Sequence, residues 1–295
     1  MNSVAERHLR ERLFAAVGAR RDRNGGFVTR AELSAMVVDG AEYRLIDQSR
    51  GIWNPQWASS TLSILSAPDG PYDDEETAGG LLRYAYRSGS ADGDNRKLRR
   101  AMQLGSPLLL LRKIGTGVYV PVFPVYVVAD HPDLRFFDIA PDESVKLLVD
   151  HGHLGADDRR YAERVAQARL HQAEFRGRVI RAYEGRCSVC TLRHPELLDA
   201  AHIVPDSHRL GLPVVTNGLA LCKIHHAAYD QNLMGIDADT RVHLSPTVLA
   251  EQDGPMLRHG LQEMDGRRLA LPRTKGERPD PDRLALRYED FLTTG

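Results

Sequence analysis

Hydrophobic and polar positions change rhythm along this chain. Over residues 4–23 apolar side chains recur at three- and four-residue spacing, the period of an amphipathic helix, and Asn24-Gly25-Gly26 ends the run. Thr29-Arg30-Ala31-Glu32 then has the residues of a capping box and opens a second short helix. From Arg44 to about Ala140 the period shortens to that of strands: WASSTLSIL, LLRYAYR, PLLLLRKI, GVYVPVFPVYVVA and LRFFDI, separated by turns. The longest, over 117–129, alternates valines with aromatics. These segments predict a twisted sheet or small β-barrel with flanking helices. Helical patterning returns from Asp157 to Arg186. After Asp230 come a short strand pair in LMGIDADTRVHLS and a terminal amphipathic helix in PDRLALRYEDFL. The pattern is that of an α+β protein in two domains, 1–150 (with 1–43 a helical lead-in) and 151–295, and it contains no internal repeat.

Composition agrees with two ordinary globular domains: 295 residues, 42% hydrophobic and 27% charged. There is no apolar run long enough to span a bilayer, and the N-terminus MNSVAERHLRERLF is charged and amphipathic, so a cytoplasmic protein with no membrane partner is expected. The net charge of −1 neither supports nor excludes nucleic acid, because the distribution of charge decides that. The distribution is uneven. Eight arginines fall between Asp157 and Arg186, and a second cluster, RKLRR, occupies Arg96 to Arg100. Taken alone, either run reads equally well as a solvated helix face.

Three cysteines cannot all pair with one another, and Cys187-x-x-Cys190 favours a metal site over a disulfide framework. Cys222-x-x-His225 supplies a second pair at zinc-knuckle spacing. Cys187, Cys190, Cys222 and His225 thus make a ligand set for a structural Zn²⁺. If LCKIHHAAYD is helical, Cys222 and His225 share a face while His226 points about 100° further round, which suggests a separate task for it.

His202 in LLDAAHIVP, Asn217 in VTNGLALC and His226 in KIHHAAYD, together with CSVC, resemble the HNH nuclease family and its ββα-metal unit, from about Arg176 to Asp237. The resemblance implies His202 as general base, Asn217 as the residue that holds the loop and orients the base, and His226 as ligand to a catalytic Mg²⁺, Mn²⁺ or other divalent ion. Phosphodiester hydrolysis needs these parts: a proton acceptor for water, and positive charge on the phosphoryl and departing oxygens. One position departs from the pattern. Many HNH enzymes carry an Asp or His just before the base, where this chain has Ala201. Asp199 lies on the same side of an extended strand as position 201 and could substitute by reaching along that face. Asp230, four residues after His226, either orients its ring or simply ends the helix. The arginine-rich helix runs into the first knuckle, so Arg176, Arg178 and Arg186 are expected at DNA phosphates, with Arg96 and Lys97 of the second cluster as further backbone contacts.

The stretch from Asp69 to Val128 resembles the SRA and wider PUA-like readers of modified bases, in Tyr84-x-Tyr86, in Asp94-Asn95 opening a helix, and in the Gly105-x-Pro107 turn into a buried strand. Such a module fused to an HNH unit is similar to the modification-dependent (type IV) restriction endonucleases of bacteria. That implies a double-stranded DNA substrate containing modified cytosine, 5-methylcytosine or a relative. An extruded base needs aromatic faces and a polar group for its Watson–Crick edge. Trp53, Trp57, Tyr72, Tyr84 and Tyr86 offer the faces and Asp73 or Asp94 the acceptor, although each aromatic also fits a hydrophobic core. Two other readings stay open: an HNH DNase without modification specificity, and a zinc-stabilised DNA-binding protein whose site is dead, motivated by Ala201. One active site per chain favours a homodimer for cutting both strands.

Overall fold

In the computed structural model, which describes residues 3–67, 75–76, 80–86, 93–151, 156–252 and 254–294, the N-terminal pattern forms helix α1 (Ser3–Arg23). Strand β1 (Val28–Thr29) leads into α2 (Arg30–Ser34), whose capping box is complete: Glu32 N donates to Thr29 Oγ1 at 3.3 Å and Thr29 N to Glu32 Oε2 at 2.8 Å. A hairpin of β2 (Met36–Val38) and β3 (Ala41–Tyr43) follows. Then come β4 (Ile52–Trp53), β5 (Ser63–Ser66), β6 (Glu75–Glu76), β7 (Leu82–Ala85), α3 (Asn95–Leu104), β8 (Leu108–Gly115), β9 (Val118–His131), β10 (Phe136–Ala140) and α4 (Glu143–His151).

Among the described residues these strands make one eight-stranded sheet in the order β4-β5-β8-β9-β10-β7-β6, with β1 paired to β9. The sheet is mixed, since β5 and β8 run parallel while the other pairs are antiparallel. It is a curled half-barrel, open between β4 and β6, and the α+β class expected from the sequence holds. Leu109 and Leu111 of β8 pack with Leu9, Leu13 and Val17 of α1, whereas Leu108 and Leu110 pack with Leu98 of α3, Val125 and Phe137. Both faces of β8 are therefore covered, which is why it reads as an unbroken apolar run rather than an alternation. Arg10 of α1 is 2% exposed and is satisfied by Glu6 and by the carbonyls of Ser60, Thr61 and Pro107.

The long helix α5 (Ala156–Ala182) begins the C-terminal half. Contact density divides the chain inside it: residues 1–21 with 27–174 form one unit, and residues 22–26 with 175–295 the other. The division thus lies beyond residue 150, where the sequence suggests it. Its cause is the apolar content of the last turns, because Phe175, Val179, Ile180, Ala182 and Tyr183 all belong to the core of the second unit.

That unit is built on β11 (Leu198–His202), β12 (Gly218–Cys222) and α6 (Lys223–Asp230), followed by β13 (Met234–Ile236), β14 (Val242–Leu244), α7 (Pro246–Ala250), α8 (Pro255–Gly260) and α9 (Pro281–Thr294). β11 and β12 pair antiparallel, from Leu198 opposite Cys222 to His202 opposite Gly218. Gly218 is required by close approach: a Cβ there would lie 2.4 Å from Val179 Cγ2 and 2.9 Å from Phe175 Cζ. No helix among the described residues is long and apolar enough to cross a membrane.

Candidate metal centre and active site

The turn before β11, the end of β12 and the start of α6 bring Cys187, Cys190, Cys222 and His225 together, with one ligand atom from each lying within 4.8 Å of all the others. Cys222 Sγ is 3.1 Å and Cys187 Sγ 3.5 Å from His225 Nδ1. The second ring nitrogen, Nε2, donates to the carbonyl of Gly260 at 2.8 Å, which fixes the ring and leaves Nδ1 for an ion. Three sulfurs and one imidazole at this spacing fit the soft tetrahedral preference of zinc. The charges behave accordingly. Hydrogen bonding to Cys190 and Cys222, with burial, drives the Cys187 thiol up, while its neighbours pull Cys222 down. Burial would lower His225, but the adjoining Cys190 and Cys222 sulfurs raise it to about 9. Packed this closely the thiols compete for negative charge, a conflict that a divalent cation resolves.

The second constellation lies on β11, β12 and α6. The His202 ring at the end of β11 stacks on Phe175, with centroids 4.0 Å apart and planes 14° from parallel. Its Nε2 is buried and has no hydrogen-bond partner among the described residues. Burial holds the imidazole below its ordinary 6.5, with Asp206 opposing and His226 reinforcing that shift. This environment favours the neutral ring, the form of imidazole that can accept a proton.

Asn217 is wholly buried just before β12 and clamps the loop that leaves His202. Its Oδ1 accepts from Val204 N at 2.9 Å, and its Nδ2 donates to the carbonyls of Val204 at 3.0 Å and Leu212 at 3.1 Å. Its own carbonyl accepts from Ile203 N at 2.9 Å. The two residues after His202 are thereby tied to position 217.

Ala201 is buried, and Asp199, on the same side of β11, projects toward α6. Asp199 Oδ2 lies 3.4 Å from His226 Nδ1, while His226 Nε2 lies 3.3 Å from Asp230 Oδ2. His226 thus stands between two carboxylates. Asp199 also receives Arg176 Nη1 at 2.9 Å on Oδ1, and Lys223 Nζ at 2.7 Å on Oδ1 and 2.6 Å on Oδ2. Burial alone would raise its carboxyl, but Lys223, His226 and Arg176 hold it below the usual carboxylate range.

The remaining predicted site residues fall in several places. Arg176 is committed to Asp199, Arg178 is half-buried on the last turns of α5, and Arg186 pairs with Glu184 at 3.2 Å. In the N-terminal unit Arg96 is exposed, but Lys97 is not a DNA grip: its Nζ donates to the carbonyls of Pro55 at 2.9 Å and Ala58 at 2.7 Å. Tyr84 and Tyr86 are also corrected to core residues. They alternate with Leu82 along β7 and its extension and so share its buried face; the Tyr84 hydroxyl donates to the Gly51 carbonyl and that of Tyr86 to Asp130. Trp53 and Trp57 are half-buried, the former donating through Nε1 to the Arg44 carbonyl at 2.7 Å, the latter edge-on to Tyr43. Asp94 pairs with Arg50 at 3.4 Å. Tyr72 and Asp73 lie outside the described residues.

Sequence reasoning missed four groups. Lys223 was findable, since it sits three residues before His226 and hence on the same helical face. Phe175 and the Gly260 carbonyl are remote in sequence from the histidines they hold, and no local signal points to them. Asn95 is 1% exposed and neither of its side-chain polar atoms has a partner among the described residues.

Residues 187–237 match the family model described as HNH endonuclease. The Cys/His cluster, His202, Asn217 and His226 all lie within the matched segment. Among solved structures the chain is similar to a modification-dependent TagI restriction endonuclease, at 17% identity and a TM-score of 0.33, over 79% of this chain and 82% of that one. It is also similar to the type IV phosphorothioation-dependent restriction endonuclease ScoMcrA, at 17% identity and a TM-score of 0.23, over 56% of this chain and 49% of that one. No curated protein matches it.

Proposed function

We propose that this protein is a metal-dependent endonuclease that hydrolyses phosphodiester bonds in double-stranded DNA, and that its N-terminal unit directs it to DNA containing modified cytosine. The observation that carries the nuclease reading is a buried His202 whose Nε2 has no partner among the described residues, set beside an Asn217-clamped loop in the HNH segment. The His202 imidazole takes the proton from the attacking water, and its stack on Phe175 holds the ring in place for that transfer. Asn217 is a positioning residue, acting through the backbone of Ile203 and Val204. Asp199 and His226 would hold the catalytic ion, Mg²⁺ or Mn²⁺, and Asp230 would orient the His226 ring from its other nitrogen. When bound, such an ion supplies Lewis-acid stabilisation of charge on the phosphoryl and departing 3′ oxygens. Cys187, Cys190, Cys222 and His225 would hold a structural zinc that ties the turn before β11 to α6. Arg178 and Arg186 would contact phosphates, adding affinity without sequence information.

The modified-cytosine reading rests on the resemblance of residues 69–128 to base readers. The buried Asn95, whose side-chain donor and acceptor have no partner among the described residues, lies beside Asp94 and suits the edge of an extruded base, and Trp53 and Trp57 remain for stacking. Cleavage of one plasmid prepared unmodified, cytosine-methylated and hydroxymethylated, by wild type and His202→Ala, tests both parts. Cutting confined to modified DNA and lost in the variant is expected. Equal cutting of all three refutes the reader, and no cutting by wild type with Mg²⁺ or Mn²⁺ refutes the nuclease.

A further inference from the structure

Lys223 has no part in the chemistry above, yet its ammonium bridges both oxygens of Asp199, at 2.7 Å and 2.6 Å. We propose that Lys223 is an exchangeable counter-cation: it neutralises Asp199 in the metal-free site, yields the carboxylate to the divalent ion, and passes to a phosphate of bound DNA. The inference rests on the reading of Asp199 and His226 as ion ligands.

The geometry sets up a competition. A carboxylate offers about four lone-pair directions. Oδ1 of Asp199 receives both Arg176 and Lys223, and Oδ2 receives Lys223 while facing His226 Nδ1 at 3.4 Å. If Asp199 and His226 hold a divalent ion, that ion would compete with Lys223 for the carboxylate and would meet the ammonium charge at close range. The two cations on Asp199 are not equivalent. The Arg176 side chain is 29% exposed and its Nη2 also reaches the Pro195 carbonyl at 3.4 Å. The Lys223 side chain is 60% exposed, on a flexible stem, with Asp199 as its only partner among the described residues. Lys223 is the one that can leave, and Arg176 the one that keeps the carboxylate oriented. Once displaced, the ammonium stays on the first turn of α6, on the His226 face, from which it would reach a phosphate of DNA bound at the ion.

The test uses the full-length, zinc-loaded chain. Mn²⁺ binding without DNA is measured by electron paramagnetic resonance for wild type, Lys223→Met, Lys223→Arg and Asp199→Asn, with zinc content and circular dichroism confirming the fold. Removing a partly exposed competing charge is expected to tighten Mn²⁺ binding about three- to tenfold in Lys223→Met. Lys223→Arg keeps the charge and should stay within about twofold of wild type by the same argument. Unchanged or weakened Mn²⁺ affinity in Lys223→Met overturns the exchange. The salt dependence of DNA binding reads the second half: with Ca²⁺ present, Lys223→Met should lower the slope of log K against log salt by about 0.9, and without divalent ion it should not. An unchanged slope in Ca²⁺ overturns the transfer to phosphate. If Asp199→Asn leaves Mn²⁺ affinity intact, it is the ligand reading that fails, which is a separate result.

Discussion

Replacing Asn217 with alanine tests the link between loop and base most sharply. Its side chain makes three hydrogen bonds, two of them with the N–H and carbonyl of Val204, a residue only 2% exposed. Truncation strands both Val204 groups away from water. The Leu212 carbonyl belongs to an exposed residue and can turn to solvent, so it adds little. At about 1–3 kcal/mol for each buried group left unpaired, Asn217→Ala should destabilise the C-terminal unit by about 2–4 kcal/mol, the lower part of the range for two such groups once the loop relaxes. Asn217→Asp sharpens the argument. It keeps an acceptor for Val204 N–H but sets a carboxylate oxygen against two carbonyls, so it should be no better than alanine despite its matching shape. Urea unfolding followed by circular dichroism measures the stability change, and hydrogen exchange at the Val204 amide reads the clamp itself. Stability changed by under about 0.5 kcal/mol, with Val204 still protected, would refute the reasoning, because the loop would then be held by something other than Asn217.

Four further outcomes follow from the geometry. Loss of the proton acceptor in His202→Ala should slow cleavage about 10²- to 10⁴-fold with zinc content unchanged; retention of wild-type rate in single-turnover assays would remove His202 from the chemistry. Because burial holds the His202 imidazole below 6.5, with Asp206 the anion opposing that shift, wild-type cleavage should stay on its plateau at neutral pH and fall only as pH drops below 6.5; an acid limb centred above that value would contradict the environment described for the ring. Cys222→Ser should release zinc and unfold the β11–β12–α6 unit, seen as zinc loss by metal analysis together with lost circular dichroism, whereas a fully folded zinc-free protein would show the cluster to be dispensable. Lys97→Met, finally, should destabilise the N-terminal unit by about 1–3 kcal/mol through the freed Pro55 and Ala58 carbonyls and leave the salt slope of DNA binding unchanged; a changed slope would restore Lys97 as a phosphate contact.

Local chemistry made much of this protein legible from sequence. The capping box at Thr29, the strand rhythm of 107–129 and the paired knuckles around Cys187 and Cys222 depend on neighbours within a turn or a few residues, so their signal is written in the order of the residues. The Asp199 position was legible for the same reason, since strand alternation alone puts it on the face of Ala201. What tertiary structure decided is which polar and aromatic groups are already taken. Tyr84 and Tyr86 look like stacking faces in a list of residues, but the sheet turns them inward, and Lys97 looks like a basic contact until the Pro55 and Ala58 carbonyls close on it. The Phe175 stack that steadies His202 and the Gly260 carbonyl that orients His225 are contacts between residues remote in sequence. Residue order carries the period of an element and the spacing of ligands, but a side chain's partner across the core is chosen by packing, after every element competes for the same buried space.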